Sequence, residues 1–256
     1  MRGTIYCEMD AEYIERDDAL SVTYIWRNCR MVHQQTTARG TFVEIVDRPV
    51  WGLSCFMDGV IQSCETDEAL YHHALVKAAL WPLTLAQRRS VCIFGGGEGA
   101  TAREVLRHNG VEQIDMYEWD TEVVQLFRDR LRSWGQITST ENAWDSPKLR
   151  LFHEDAFQIR GNQKPLYYDA VIIDLFDLNE ASLETWLPFL ENAAGWCRHS
   201  ICLYVTTQAP IPNPHSPLVG RIRRALRTLG FSTHHSSVYV PSFHGYATFL
   251  SGCRRL

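Results

Sequence analysis

The chain is 256 residues long, 45% apolar and 21% charged, with a formal net charge of -5 and a pI near 6.1. That length allows one α/β domain with a small appendage and a core that needs no covalent staples, and the composition is that of a soluble globular protein. The acidic excess and scattered basic residues offer no footprint for a nucleic-acid polymer, and no run reaches the ~18 apolar residues of a membrane helix.

Residues 1–64 read as a small, β-rich antiparallel lid domain. The acids Glu8, Asp10 and Glu12 near the N-terminus, with no continuous apolar stretch, are unlike a signal peptide. Ser21 to Trp26 has the character of a strand, and Thr41 to Val46 alternates before a turn at Asp47-Arg48-Pro49. Trp51, Leu53, Cys55 and Met57 alternate again, and Asp58-Gly59 is a hairpin-turn pair ahead of Val60-Ile61. A helix is expected from about Asp67 to Leu80, with Leu70, Leu75, Val76 and Ala79 as its apolar stripe, ending at Trp81-Pro82.

From Val91 onward strand and helix alternate. Val91 to Phe94 is a strand, Gly95-Gly96-Gly97-Glu98-Gly99 a turn, and Thr101 to His108 a helix closed by Asn109-Gly110. Ile114 to Tyr117 is the next strand and Glu122 to Trp134 the next helix. Further strands fall at Leu149–Phe152, Ala170–Ile173 and Ile201–Val205, helices at Ser182–Cys197 and Leu218–Leu229, and a closing pair of strands within 236–251. Arg221, Arg223, Arg224 and Arg227 form the solvated face of the last helix. This β-α alternation predicts a Rossmann-like α/β domain of the class I methyltransferase type over 65–256, its mainly parallel sheet covered by helices on both faces. Eight cysteines (Cys7, Cys29, Cys55, Cys64, Cys92, Cys197, Cys202, Cys253) include no C-x-x-C pair, which suits a reducing cytoplasm.

The glycine turn is the first feature with chemistry. Gly95 and Gly97 let the backbone approach a nucleotide, and an acid about twenty residues on, Glu118, is placed for ribose hydroxyls. Glu98 is the unusual member, because a loop built for phosphate would not carry a negative charge where the anion sits. It points to a ligand that is cationic at that end. Trp119 can pack on an adenine face or be a core or rim tryptophan; Asp155-Ala156 can accept from an adenine amino group or cap a helix. Asp174 and Asp177, three apart at the end of an apolar strand, can point into one cleft or form a capped turn. In such sheets ligands sit at the carboxyl ends of strands, where Glu118, Asp155, Asp174 and Asp177 all fall. The adjacent pairs His72-His73 and His234-His235 lack metal-ligand spacing, and no metal is expected.

Taken in order, several segments resemble the spermidine synthase (polyamine aminopropyltransferase) family. They are Met57 to Gln62, Glu65 to His72, Phe94 to His108, Tyr117-Glu118-Trp119-Asp120, Asp155-Ala156, Asp174-Leu175-Phe176-Asp177, Gln208-Ala209 and Val240 to Phe243. The resemblance covers roughly residues 40–252, and the glutamate form of the glycine turn is similar to that of thermospermine synthases and archaeal relatives. It implies transfer of an aminopropyl group from decarboxylated S-adenosylmethionine, a co-substrate, to a small-molecule amine, releasing methylthioadenosine. By motif position, Gln62 and Glu98 would meet the aminopropyl end of the donor, Glu118 the ribose, and Asp155-Ala156 the adenine. Asp174 would be the acid-base residue, with Tyr71, His72, Asp177 and Gln208 positioning the acceptor. Relatives often pair through the β-rich domain, so a homodimer is implied by analogy.

Physical chemistry agrees with these roles. An alkylammonium with a pKa near ~10.4 must lose a proton before it attacks, at about 4–5 kcal/mol near neutral pH, and a positioned carboxylate offsets that. The intact methionine carboxylate, about 4 Å from Glu98, would be repelled by about 4 kcal/mol at an effective dielectric of ~20, so Glu98 favours the decarboxylated donor.

The sequence departs from the family pattern at Arg39-Gly40, where relatives carry a tyrosine-glutamine pair in a strand. It departs also at Pro210-Ile211-Pro212 after Gln208-Ala209, at Leu178 in place of a proline, and at Phe243 in place of a tyrosine. Most of these lie around the acceptor, so a specialised acceptor, such as a peptide or nucleotide amine, stands beside an ordinary polyamine. Two other readings remain open: methyl or aminocarboxypropyl transfer from intact S-adenosylmethionine on the same fold, and a non-catalytic binding or regulatory subunit.

Overall fold

A computed structural model describes residues 11–17, 22–159 and 168–254. Ser21, at the head of the first expected strand, and Cys7, Glu8 and Asp10 lie outside the described residues. The chain divides into two compact units, Met1–Glu68 and Ala69–Leu256.

The first unit is a five-stranded antiparallel sheet in sequence order. Its strands are β1 (Ala11–Asp17), β2 (Val22–Thr36), β3 (Phe42–Arg48), β4 (Gly52–Met57) and β5 (Val60–Cys64). The Asp58-Gly59 turn between β4 and β5 has φ of 52° and 78°, the double positive φ that a tight two-residue hairpin demands. The strand at Ser21–Trp26 proves to be the start of a much longer β2, which runs to Thr36 beside β1 and β3. The turn expected at Asp47-Arg48-Pro49 comes later, because Arg48 is still in the ladder. Its guanidinium is buried against the rings of Trp26, Trp51 and Phe56, and its Nε donates to Ser54 Oγ at 2.9 Å. Arg39-Gly40 sits in the β2–β3 turn, with Gly40 at φ 93°, rather than in a strand.

The second unit is Rossmann-like. After α1 (Glu68–Leu80) come β6 (Ser90–Gly95), α2 (Ala100–Leu106), β7 (Gln113–Tyr117), α3 (Thr121–Arg130), β8 (Leu149–Phe152) and β9 (Tyr168–Asp174). Then follow α4 (Leu183–Trp196), β10 (Cys197–Gln208), α5 (Pro217–Thr228), β11 (Phe231–Val240) and β12 (Gly245–Arg254). The seven strands lie in the order β11-β12-β10-β9-β6-β7-β8. Five of them, β10 to β8 in that order, run parallel, and β12 returns antiparallel to β10 and β11.

Strands β6 and β9 are buried along nearly their whole length, which is why they read as continuous apolar runs. Cys92, Phe94, Val171 and Ile173 pack with Trp186, Phe189 and Leu190 of α4 and with Ile222 and Leu226 of α5. Ile93 and Met116 face the other side; a Cβ added at Gly96 would meet both of them and Thr101 of α2. Helix α3 is shorter than expected: it stops at Arg130, and Arg132–Gly135 forms a 3-10 turn. On α1, Leu75, Val76 and Ala79 are buried as the apolar stripe requires, but Leu70 is 46% exposed, and the inward side of the first turns goes to Tyr71 and His72. Among the described residues no helix is long and apolar enough to cross a membrane.

Candidate active site

The strand order reverses between β6 and β9: the chain moves from β6 outward through β7 to β8, then returns to lay β9 on the other flank of β6. A crevice opens beyond the carboxyl ends of strands at such a point. The residues in register there are Gly95 and Asp174. Gly95 has φ 83°, and a Cβ on it would stand 1.9 Å from the Asp174 carbonyl oxygen, so neither the conformation nor the space admits a side chain. The last glycine, Gly99, begins α2 at φ 82° beneath the Trp144 ring.

Past β7, Glu118 turns back toward this loop. Its Oε2 accepts from the Gly97 N–H at 3.2 Å, and its Oε1 from the Asp120 N–H at 3.1 Å. A Cβ on Gly97 would fall 2.9 Å from Glu118 Oε2, so the glycine makes room for the acid. Burial pushes the Glu118 carboxyl up to about 7, against the opposing pull of the backbone donors. The neighbouring acid does different work. Asp120 is buried and caps α3, accepting from the N–H groups of Glu122 and Val123. Trp119, between them, is 43% exposed at the rim, not in the core.

Glu98 projects from the middle of the turn and is mostly enclosed, its side chain 14% exposed. Its Oε2 lies 3.7 Å from Nε2 of His72, which is buried on α1. The preceding residue on α1 reaches the other acid. Tyr71 donates from its hydroxyl to Asp174 Oδ1 at 2.7 Å. The second oxygen, Asp174 Oδ2, accepts from the Thr101 hydroxyl at 2.5 Å. Burial first, and then the Asp174 charge, raise the Tyr71 phenol well above its ordinary value, so it stays protonated and donating.

Around Tyr71 stands an aromatic box: Tyr204, Phe249 and Phe243 have ring centroids 5.4, 5.3 and 5.8 Å from it. The Tyr204 hydroxyl lies 2.8 Å from Thr207 Oγ1, and burial followed by the Asp177 charge raises its phenol as well. Asp177 is exposed, its Oδ2 accepting from the Thr206 hydroxyl at 3.3 Å. Leu178 then drops into the core, and its N–H donates to the Val205 carbonyl at 2.8 Å, a bond proline could not make.

The remaining sequence-selected residues fall as follows. Asp155 caps the 3-10 turn Ala156–Gln158, accepting from the Phe157 N–H at 2.9 Å, with Ala156 buried behind it. Gln208 is occupied at the end of β10. Its Oε1 accepts from the Asn213 N–H at 2.7 Å and from the Thr248 hydroxyl at 3.2 Å, and its Nε2 donates to the Asn213 carbonyl at 3.3 Å. Gln62 lies on β5 of the first unit, with Nε2 donating to the Val60 carbonyl at 3.2 Å.

The second unit therefore brings Glu98 beside His72, Glu118 against the glycine turn, and Asp174 under Tyr71. Sequence reasoning missed Thr101 and Tyr204. The available signals were a hydroxyl directly after the glycine turn and a tyrosine in an apolar strand.

Comparison with known proteins places this geometry in context. The spermine/spermidine synthase domain family matches residues 67–255. The chain is similar to polyamine aminopropyltransferase 2 of Pseudomonas aeruginosa, 41% identical over 155 residues, covering 60% of this chain and 42% of that protein. It is similar also to the polyamine aminopropyltransferase of Sulfurisphaera tokodaii, 32% identical over 209 residues, with coverage of 80% and 66%. The chain thus spans between 42% and 66% of the length of these two relatives. A solved spermidine synthase in complex with the transition state analogue AdoDATO shares the fold, with a TM-score of 0.78 at 19% identity, covering 96% of this chain and 80% of that one.

Proposed function

The chain belongs to the spermine/spermidine synthase family, and on that premise we propose that it is an aminopropyltransferase taking decarboxylated S-adenosylmethionine as donor and an amine as acceptor. The carrying observation is Asp174: a carboxylate at the strand-order reversal, in register with the glycine turn and held through both oxygens by hydroxyl donors.

The sulfonium supplies the driving force. An acceptor nitrogen attacks the aminopropyl carbon next to sulfur, the carbon–sulfur bond breaks with its electron pair going to sulfur, and methylthioadenosine leaves as a neutral thioether. The protein's share is placement and protons. Gly95 and Gly97 keep the turn tight, leaving room for the Asp174 carbonyl and the Glu118 carboxylate that line it. Glu118, already fixed by two backbone N–H groups, offers its outward lone pairs to ribose hydroxyls. Asp155, its Oδ1 committed to the cap, offers Oδ2 to the adenine amino group. Glu98 faces the donor's ammonium and disfavours a carboxylate at that end.

Asp174 accepts the proton that the reacting amine sheds, and Tyr71 stays neutral beside it as donor and wall. Asp177, farther out, holds a distal ammonium of the acceptor. Dividing the acids in this way matters, since two carboxylates on one nitrogen would raise its pKa and work against attack. The hydroxyl that Phe243 lacks and the loop after Gln208 make the acceptor end the variable part. The acceptor we favour is accordingly a polyamine-type amine with a cationic group beyond the attacking nitrogen.

Incubating the purified protein with either decarboxylated or intact S-adenosylmethionine and a panel of diamines, polyamines and amine-bearing peptides tests this by mass spectrometry. Methylthioadenosine release with a product heavier by one aminopropyl group is expected from the decarboxylated donor alone. A methylated product and S-adenosylhomocysteine from the intact donor would replace this reading with methyl transfer.

A further inference from the structure

Asp174 is held by two elements, and the sequence analysis assigns a role to only one of them. Tyr71 reaches Oδ1 from α1. The other donor, Thr101, comes from the first turn of α2, directly after the glycine turn, and its side chain is fully buried. An aspartate with one donor is free to swing, because the terminal torsion of its side chain is broad and roughly two-fold. Separate donors on separate oxygens, anchored on different helices, remove that freedom. We infer that Thr101 is a positioning residue for the proposed base: its hydroxyl fixes the plane of the Asp174 carboxylate and leaves the remaining lone pairs aimed at the acceptor nitrogen.

Three observations support this. A hydroxyl buried this completely requires a protein acceptor, and the Asp174 carboxylate is the one it has. The backbone of Asp174 is fixed from the same loop, since Gly95 leaves no space between β6 and the Asp174 carbonyl. Loop and first helical turn therefore clamp the aspartate at main chain and side chain together. The titratable groups facing Asp174 from other elements are Tyr71 on α1 and Cys202 and Tyr204 on β10, all pushed upward by burial, with Asp177 beyond them.

The inference rests on Asp174 being the base, so its test must separate the two. Thr101→Val keeps the shape and removes the donor; Thr101→Ser keeps the donor and removes the methyl; Asp174→Asn removes the base. Turnover is measured from pH 6 to 9 with saturating donor, alongside methylthioadenosine binding and thermal unfolding for each variant. Thr101→Val should lower kcat about 10- to 100-fold, the range of a misplaced general base. It should also change methylthioadenosine affinity less than about twofold. Thr101→Ser should return kcat to within about threefold of the native protein, which distinguishes a lost hydrogen bond from lost packing. Equal losses in the valine and serine variants, or a native kcat in the valine variant, overturn the role of Thr101 while Asp174→Asn is inactive. An active Asp174→Asn overturns the base itself. Should Thr101→Val not fold, the serine variant against Thr101→Ala makes the same comparison.

Discussion

The glycine-turn end of the site and the paired-aspartate end are built on different principles. At the first, main chain does most of the work: Gly95 and Gly99 adopt positive φ, Gly97 makes room for Glu118, and backbone N–H groups fix that acid. At the second, side chains from α1, α2, β9 and β10 meet through hydroxyls: Tyr71 and Thr101 on Asp174, Thr206 on Asp177, and Thr207 beside Tyr204. A main-chain site depends on which residues are glycine. A side-chain network can be re-tuned one hydroxyl at a time, and the departures at Leu178 and Phe243 fall at this end. If the proposed function holds, donor recognition should be brittle and acceptor recognition adjustable.

The largest test removes the centre of the network. Asp174→Asn should lower kcat by about a thousandfold, within the span of general acid–base catalysis, while methylthioadenosine affinity stays within a few-fold. Stopped assays for methylthioadenosine release, paired with calorimetry, read both quantities. If donor-product binding fell as far as turnover, the two ends would be one unit and the contrast would be lost.

Next in size is Glu98→Gln, which tests the charge in the glycine turn. Losing that charge should reduce the preference for decarboxylated over intact S-adenosylmethionine by about 10- to 100-fold, less than the full repulsion because water re-enters the site. Competition binding of the two donors measures it. An unchanged preference would mean that Glu98 serves the neighbouring His72, 3.7 Å away, and not the ligand.

The same contrast explains how much was legible in the sequence. Strand periodicity, the glycine turn and the β-α alternation specify the sheet, and the double positive φ at Asp58-Gly59 follows from two residue types. Glu118 was visible as an acid at a strand end. That Asp120, two residues on, caps α3 is not legible, because capping and ligand contact use the same residue types at the same place. Gln208 was read from its motif as an acceptor contact, yet its amide is engaged with Asn213 and Thr248, residues that only the folded loop brings near. Thr101 and Tyr204 carry no periodic signal: each is a single hydroxyl whose meaning depends on a distant acid, Asp174, 73 positions from Thr101, and Asp177, on the loop after β9, for Tyr204. Chain-local chemistry reads out well; long-range hydroxyl pairing does not.

Glu118 gives the third test, through protons. Its folded value of about 7 lies above the ordinary 4.5, so between those values the folded protein holds a proton that the unfolded chain has released. Stability then falls as pH rises through that window, by about 3 kcal/mol at most, and Glu118→Gln should flatten that slope in urea titrations. Ribose hydroxyls donate to the ionised form, so methylthioadenosine binding should release a proton near pH 7. Its affinity should rise about tenfold between pH 6 and 8 and then level off. Calorimetry in buffers of different ionisation enthalpy detects that proton, and pH-independent binding would remove Glu118 from the ribose contact.

The smallest effect belongs to the adjustable end. Gln208 ties the start of the 209–213 loop to its far side through Asn213 and to β12 through Thr248. Because the loop is exposed at Ile211, cutting these bonds should leave the core intact and loosen only what the loop presents. Gln208→Ala is therefore expected to raise the acceptor KM about three- to fivefold, with little change in kcat at saturating acceptor and none in donor affinity. Glutamate at this position would keep the Asn213 N–H contact but lose the donor to the Asn213 carbonyl, and should fall between alanine and the native residue. If instead kcat collapsed with KM unchanged, Gln208 would be acting on the transition state. The loop would then belong with Asp174 rather than with the part of the site that sets which amine enters.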